Sequence, residues 1–265
     1  MHVAHSYAAI EHVQRSIRIK TIINAVRSPS GARVADLARA TGASLMTVRR
    51  DLAELERQGV LRRTHGGAVS SPARGTRLPF AVRLDAQAEQ KQAIAAAAAA
   101  LVPDGSSVII DTGTTCTAVA QALAGRDITV LALSVHAAAA LGECPGVRII
   151  TPGGQLDAEE LAWVGHRAVR EVLEFRADLA VLGVCAWDEP TGLTATSMHD
   201  AEIKKAILTS AHRAVAVTTP DKIGISATFT ACPTDHIDTL VTSGLSPDDR
   251  LWVAAAGVEV LDQEA

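Results

Sequence analysis

Residues Val34 to Val69, V-A-D-L-A-R-A-T-G-A-S-L-M-T-V-R-R-D-L-A-E-L-E-R-Q-G-V-L-R-R-T-H-G-G-A-V, constrain the fold of this 265-residue chain more than any other stretch. They read as two short helices separated by Thr41-Gly42-Ala43, a turn with the length and glycine content that joins the helices of a helix-turn-helix. Ser44 can cap the second helix through its hydroxyl. Leu45, Val48, Leu52 and Leu55 follow a 3-4-3 spacing and are expected to form one buried stripe. At about 100° per residue Arg50 falls nearly opposite that stripe, with Met46, Thr47, Glu54 and Arg57 on the same outward side and Arg49 on the flank. Thr47 and Arg50 then face a DNA groove, where arginine can engage guanine bidentately, and Arg49 is placed for a backbone phosphate. After Gly59, β-prone flanks around Gly66-Gly67 predict a hairpin wing carrying Arg62, Arg63 and His65, with arginines that track phosphates. Alone, an arginine pair reads as a solvated helix face and Gly-Gly as a plain turn. The preceding helix and turn reverse that weighting for the arginines, while Gly-Gly remains a plain turn.

Charge supports the same reading. Up to Arg74 there are 12 Lys+Arg against 5 Asp+Glu, a net of +7; the remainder has 13 against 24, a net of −11, and together they give the chain's −4. A basic head on an acidic body fits polyanion binding by the head, with an affinity that falls steeply with salt. Length and a 48% apolar content allow two domains. The expected boundaries are 11–69 for the head, 70–84 for a linker (Ser70 to Pro79 is rich in Ser, Pro, Gly and Arg) and 85–265 for the body. No run of some 18 apolar residues and no signal-peptide pattern occur, so the expected location is cytoplasmic with no membrane partner. Cys116, Cys144, Cys185 and Cys232 are scattered and read as reduced core residues rather than zinc ligands or a disulfide framework. His2, His5 and His12 fall in a tail expected to be disordered. No metal or cofactor is implied.

In the body, Ser107–Ile110, Ile128–Leu133, Val147–Ile150, Leu179–Val184, Ala214–Thr218 and Thr239–Val241 read as strands. Thr117–Ala124, Val135–Leu141, Arg167–Phe175 and Ala201–Ala211 read as helices between them, and Gln90–Leu101 as a tightly packed alanine helix. The order predicts an α/β domain with a mainly parallel sheet, binding ligands at the carboxyl ends of its strands. The best candidate is the loop Asp111-Thr112-Gly113-Thr114-Thr115 before a helix. Free N–H groups and the helix dipole make such a loop an anion site. Spacing alone leaves phosphate binding and an ordinary capping turn evenly matched. Asp200 and Lys204 stand at i and i+4, which by itself is a surface ion pair.

Arg18 to Val69, with T-V-R-R-D-L (47–52), L-E-R-Q-G-V-L-R-R (55–63) and H-G-G-A-V (65–69), resembles the winged helix of DeoR-type bacterial transcription regulators. The loop at Asp111 is similar to the D-[ST]-G-[ST]-T of that family's effector domain, which resembles ribose-5-phosphate isomerase folds. The resemblance implies a winged helix-turn-helix followed by an α/β effector domain. It further implies a repressor of a carbohydrate-metabolism operon, oligomeric, bound to operator DNA through Ser44, Met46, Thr47, Arg49, Arg50, Arg62, Arg63 and His65, and released by a phosphorylated sugar. The effector contacts it implies are Thr112 to Thr115 for phosphate, with Asp111, Gly153-Gly154, Asp200 (with Glu202 nearby), Lys204 and Lys222 around them. Three departures stand out: Ala132-Leu133-Ser134 for the family's T-N-S, Thr219-Pro220-Asp221-Lys222 for D-x-S-K, and Val241-Thr242-Ser243 for I-T-D. They point to a respecified effector or a weakened response. The alternative is a sugar-phosphate isomerase-like enzyme with an attached DNA-binding module, in which Asp111, Asp200 and Lys204 would supply acid–base groups, although no pair compels catalysis.

Overall fold

The computed structural model describes residues 14–263 except 16, 27, 29, 58 and 71–77. The histidines of the tail, and the linker over 71–77, lie outside the described residues. The chain divides into two compact units, Met1–Asp85 and Ala86–Ala265.

The first unit runs α1 (residues 17–26), β1 (Ala32–Arg33), α2 (Val34–Thr41), α3 (Leu45–Arg57), β2 (Leu61–Thr64), β3 (Gly67–Ser70) and α4 (Phe80–Asp85). Ile22, Leu37, Val48, Leu52, Leu55 and Leu61 form its core. Gly42 ends α2 in the left-handed conformation at φ 66°. The wing is an antiparallel sheet in the order β1-β3-β2, with Thr64 opposite Gly67. Gly67 is more than a turn residue: a Cβ there would lie 2.3 Å from the Ala32 carbonyl oxygen, so β1 can pair with β3 only past a glycine.

Two expectations for this unit are corrected. The buried stripe of α3 is Val48, Asp51, Leu52 and Leu55, while Leu45 is 50% exposed. The apolar core reaches back along α3 only to Val48, and Asp51 enters the stripe because Arg18 Nε reaches its Oδ2 at 2.6 Å. A buried carboxylate is tolerable when so paired. The end of the expected linker is also ordered: α4 buries Phe80 and Val82, and Val82 belongs to the head's core.

The second unit begins with α5 (Ala88–Ala100), followed by β4 (Ser107–Ile110), α6 (Thr114–Leu123), β5 (Thr129–Ala132), α7 (Val135–Leu141) and β6 (Arg148–Ile150). Then come β7 (Gln155–Asp157), β8 (Ala162–Val164), α8 (His166–Glu174), β9 (Ala177–Gly183), β10 (Ala186–Asp188), β11 (Gly192–Ala195) and α9 (Met198–Ser210). The remainder is β12 (Ala211–Val217), β13 (Phe229–Cys232), β14 (Thr239–Thr242), α10 (Pro247–Ala255) and β15 (Glu259–Asp262). Seven strands form one parallel sheet in the order β15-β14-β12-β9-β4-β5-β6. β7 and β8 make a hairpin, and β10-β11-β13 a small antiparallel sheet.

Side chains alternate across the main sheet as the pleat requires. Val108 and Ile110 enter the cluster with Ile94, Val119 and Leu141, whereas Ile109 enters the one with Val172, Ile207 and Val253. Helices α5–α7 therefore cover one face and α8–α10 the other. The alanines of α5 let it lie close along α6. From β4 the strands step outward through β5 to β6; from β9 they step the other way through β12, β14 and β15. The switch lies between β4 and β9, where open α/β sheets leave a ligand crevice. One cysteine departs from its expected place: Cys144 is exposed before β6 rather than buried.

Candidate functional site

The Ser44 hydroxyl accepts the Thr47 amide at 3.1 Å and fixes the start of α3. Beyond it, Met46, Arg49 and Arg50 are exposed on one side of the helix, and Arg62, Arg63 and His65 are exposed on the wing. Thr47 is half-buried, its hydroxyl 2.9 Å from that of Ser44. Arg63 is engaged: its amide donates to Glu56 Oε1 at 2.8 Å and its guanidinium stands 3.4 Å from Oε2, which ties the wing to α3. Arg49, Arg50 and Arg62 make no ion pair among the described residues. Two elements thus present guanidinium groups whose charge is not consumed internally, as a phosphate backbone and base edges require.

In the second unit the sheet's switch point carries a buried charge cluster. Asp111 follows β4 and is 0% exposed; its Oδ2 accepts the Gly183 amide at 3.0 Å and Lys204 Nζ at 2.5 Å. Lys204, on α9 and 1% exposed, also reaches Asp200 Oδ1 at 3.3 Å. The Cys185 thiol donates to Asp200 Oδ2 at 3.0 Å. Asp200 and Lys204 are therefore no surface pair, and Asp111, 93 positions upstream, is the third member that spacing could not show. The nearby Glu202 is exposed and faces His199 instead. Burial disfavours the Lys204 ammonium, but Asp111 and Asp200 outweigh it and raise its pKa. Burial pushes the Asp111 carboxyl up, against the pull of Lys204. Asp111 Oδ1 has no hydrogen-bond partner among the described residues.

The loop after Asp111 starts α6. Thr112 and Thr114 are buried, Thr115 is half-buried, and the N-cap of the helix is Gly113, which has no side chain of its own to cap it. Thr117 donates back to the Gly113 carbonyl at 2.9 Å. The loop packs directly against the end of β9, for a Cβ on Gly183 would stand 2.6 Å from the Thr112 carbonyl oxygen. A helix start of this kind retains amide donors and a positive dipole end.

The other expected contacts stand at neighbouring strand ends. The Gly153 amide is already bound by Glu171 Oε2 at 2.5 Å, and Glu171 pairs with Arg167 at 3.0 Å. Lys222, after β12, pairs with Asp221 at 2.7 Å. Burial pushes the Asp221 carboxyl up, but hydrogen bonds from Lys222 and Thr219 hold it below the usual range. Of the departing positions, Leu133 is fully buried in the apolar cluster and Thr219 donates to Asp221 at 2.6 Å. Ser243 is buried with no partner for its hydroxyl, as is the adjacent Thr242. Gly183 and Cys185 were invisible to sequence reasoning, because a glycine and a small thiol after an apolar run carry no signal of their own.

Residues 18–73 match the DeoR-like helix-turn-helix domain, and residues 86–244 match the DeoR C terminal sensor domain. The chain is 33% identical over 248 residues to the HTH-type transcriptional regulator GlpR of Haloferax volcanii, covering 92% of this chain and 96% of that one. It is 29% identical over 250 residues to the putative aga operon transcriptional repressor of Escherichia coli O157:H7, covering 93% of each. Among solved structures, ribose 5-phosphate isomerase A from Methanocaldococcus jannaschii overlaps 52% of this chain and 55% of its own, at 19% identity and a TM-score of 0.38. No helix among the described residues is long and apolar enough to cross a membrane.

Proposed function

This chain belongs to the DeoR family of DNA-binding transcriptional regulators, and from that premise we propose that it represses a carbohydrate-metabolism operon until a phosphorylated sugar binds the loop Asp111–Thr115. The observation that carries the effector assignment is the start of α6 at the sheet's switch point, where the N-cap is Gly113 and the flanking Thr112 and Thr114 are held in the packed loop. Amide donors and a helix N-terminus hold a phosphate there without a metal. The Asp111–Lys204–Asp200 cluster then fixes the loop from beneath. We assign Ser44 at the cap of α3, Met46, Thr47, Arg49 and Arg50 on α3, and Arg62, Arg63 and His65 on the wing to operator contact, in a homo-oligomer reading repeated half-sites in the cytoplasm. Effector binding relieves repression only if the released state binds it more tightly than the DNA-competent state.

We assign the cluster to binding rather than turnover. Lys204 is held charged between two carboxylates and closed off from solvent, which removes the easy proton exchange that a general acid or base needs. Thermal unfolding against a panel of sugar phosphates and their unphosphorylated counterparts tests the assignment. A ligand at a hundred times its dissociation constant should add about 2.7 kcal/mol. Stabilisation by one phosphorylated sugar, unchanged on standing, is the expected result; conversion of that compound would mean an isomerase, and stabilisation only by free sugars would remove the phosphate loop. Thr114→Ala is expected to weaken the phosphorylated effector about tenfold, the loss of one hydrogen bond to a charged group, with effector-free DNA affinity unchanged. Equal effector binding by the variant would take Thr114 out of the site.

A further inference from the structure

Leu45 and Met46 open α3 with two large apolar side chains in solvent, 50% and 67% exposed. An exposed leucine is ordinary by itself, so the surroundings decide its meaning. Leu45 stands four positions before Arg49 and Met46 four before Arg50, so each shares a helix face with an exposed arginine. The Ser44 and Thr47 hydroxyls spend part of their hydrogen bonding on each other and on the Thr47 amide. Beside them this turn presents hydrocarbon flanked by guanidinium groups. That combination suits a polyanion with apolar points on its surface.

The major groove of DNA is such a partner. Its phosphates attract the arginines, and thymine is the base that presents a methyl group there, a group that apolar side chains contact. The first residues of the second helix of a helix-turn-helix are those that reach base edges. Four helical residues span about 6 Å, roughly two base steps of 3.4 Å, so Met46 can touch a base pair within two of the one that Arg50 engages. We infer that Leu45 and Met46 read thymine 5-methyl groups flanking the base pair engaged by Arg50, and so set part of the operator sequence. The inference rests on the proposal that α3 reads DNA.

The test starts from a random duplex pool selected on the full-length chain. Thymines in the selected site are then replaced one at a time by deoxyuridine, which differs only in lacking the methyl. Each methyl read should cost about fourfold in affinity. The double variant Leu45→Ser, Met46→Ser should bind thymine and uracil duplexes equally, with unchanged thermal unfolding because both side chains lie outside the core. Equal binding of the two duplexes by the wild-type chain overturns the inference while leaving DNA reading intact. A pool that yields no enriched sequence overturns sequence reading by α3, and the inference with it.

Discussion

Replacing Lys204 by methionine is expected to destabilise the second unit by about 3–5 kcal/mol, the usual cost of removing one partner from a buried ion pair. The side chain is 1% exposed and is the only cation that an ion pair brings to the fully buried Asp111 among the described residues. Methionine fills much of the same volume, so the loss measured by urea unfolding reports uncompensated carboxylates rather than a void. Its pH dependence identifies the cause. Burial already pushes the Asp111 carboxyl above its ordinary 3.8, and removing the ammonium pushes it further. A carboxyl with a raised folded pKa favours the folded state when protonated. The deficit should therefore shrink as pH falls toward 3.8 and reach its full size above the folded pKa. A loss below 1 kcal/mol, or one that does not vary with pH, would mean that water reaches the cluster. Asp111→Asn in the same background should recover part of the stability, since coupled sites are not additive.

Arg50→Ala is expected to lower affinity for the selected DNA site by about 10- to 100-fold, corresponding to the roughly 1–3 kcal/mol of a bidentate arginine–guanine contact. Arg50 is exposed and makes no ion pair among the described residues, so thermal unfolding of the head should not change. Binding to random-sequence DNA should weaken far less, because that binding follows total phosphate neutralisation. Retention of full preference for the selected site would mean that α3 presents another face to the groove.

The sequence made the order of the body legible because its central strands are buried on both faces and read as unbroken apolar runs. Ser107–Ile110 and Val135–Leu141 coincide with the structure to the residue. The elements that escaped are the ones whose formation depends on distant partners. β7 (Q-L-D), β10 (A-W-D) and β11 (G-L-T-A) are too short and polar to show a period, and they are strands only because hairpin or sheet neighbours supply the hydrogen bonds. α10 and β15 were hidden in the same way by mixed composition.

At the candidate site the spacing placed Asp200 and Lys204 on one helix face, which the structure upholds, but it could not say whether that face is wet. Burial of Lys204 follows from Asp111, brought in by the pairing of β4 with β9. Leu45 shows the opposite limit. The 3-4-3 pattern continued one turn past the point where the core ends, because periodicity records which residues share a side and not whether anything lies over them.

The strand order also has a temporal side. Ser107 and Asp178 are hydrogen-bonded across β4 and β9 although 71 positions separate them, so β4, β5 and β6 can pair among themselves but the inner edge of β4 stays unpaired until the chain through β9 exists. Pairing between distant segments is slow because the loop must close before any contact is gained. The first unit closes its core within Met1–Asp85 and emerges first from the ribosome. During synthesis the DNA-binding head is therefore expected to fold before the sheet that forms the proposed effector site, leaving each newborn chain a brief interval in which its head is formed while that site is not yet assembled.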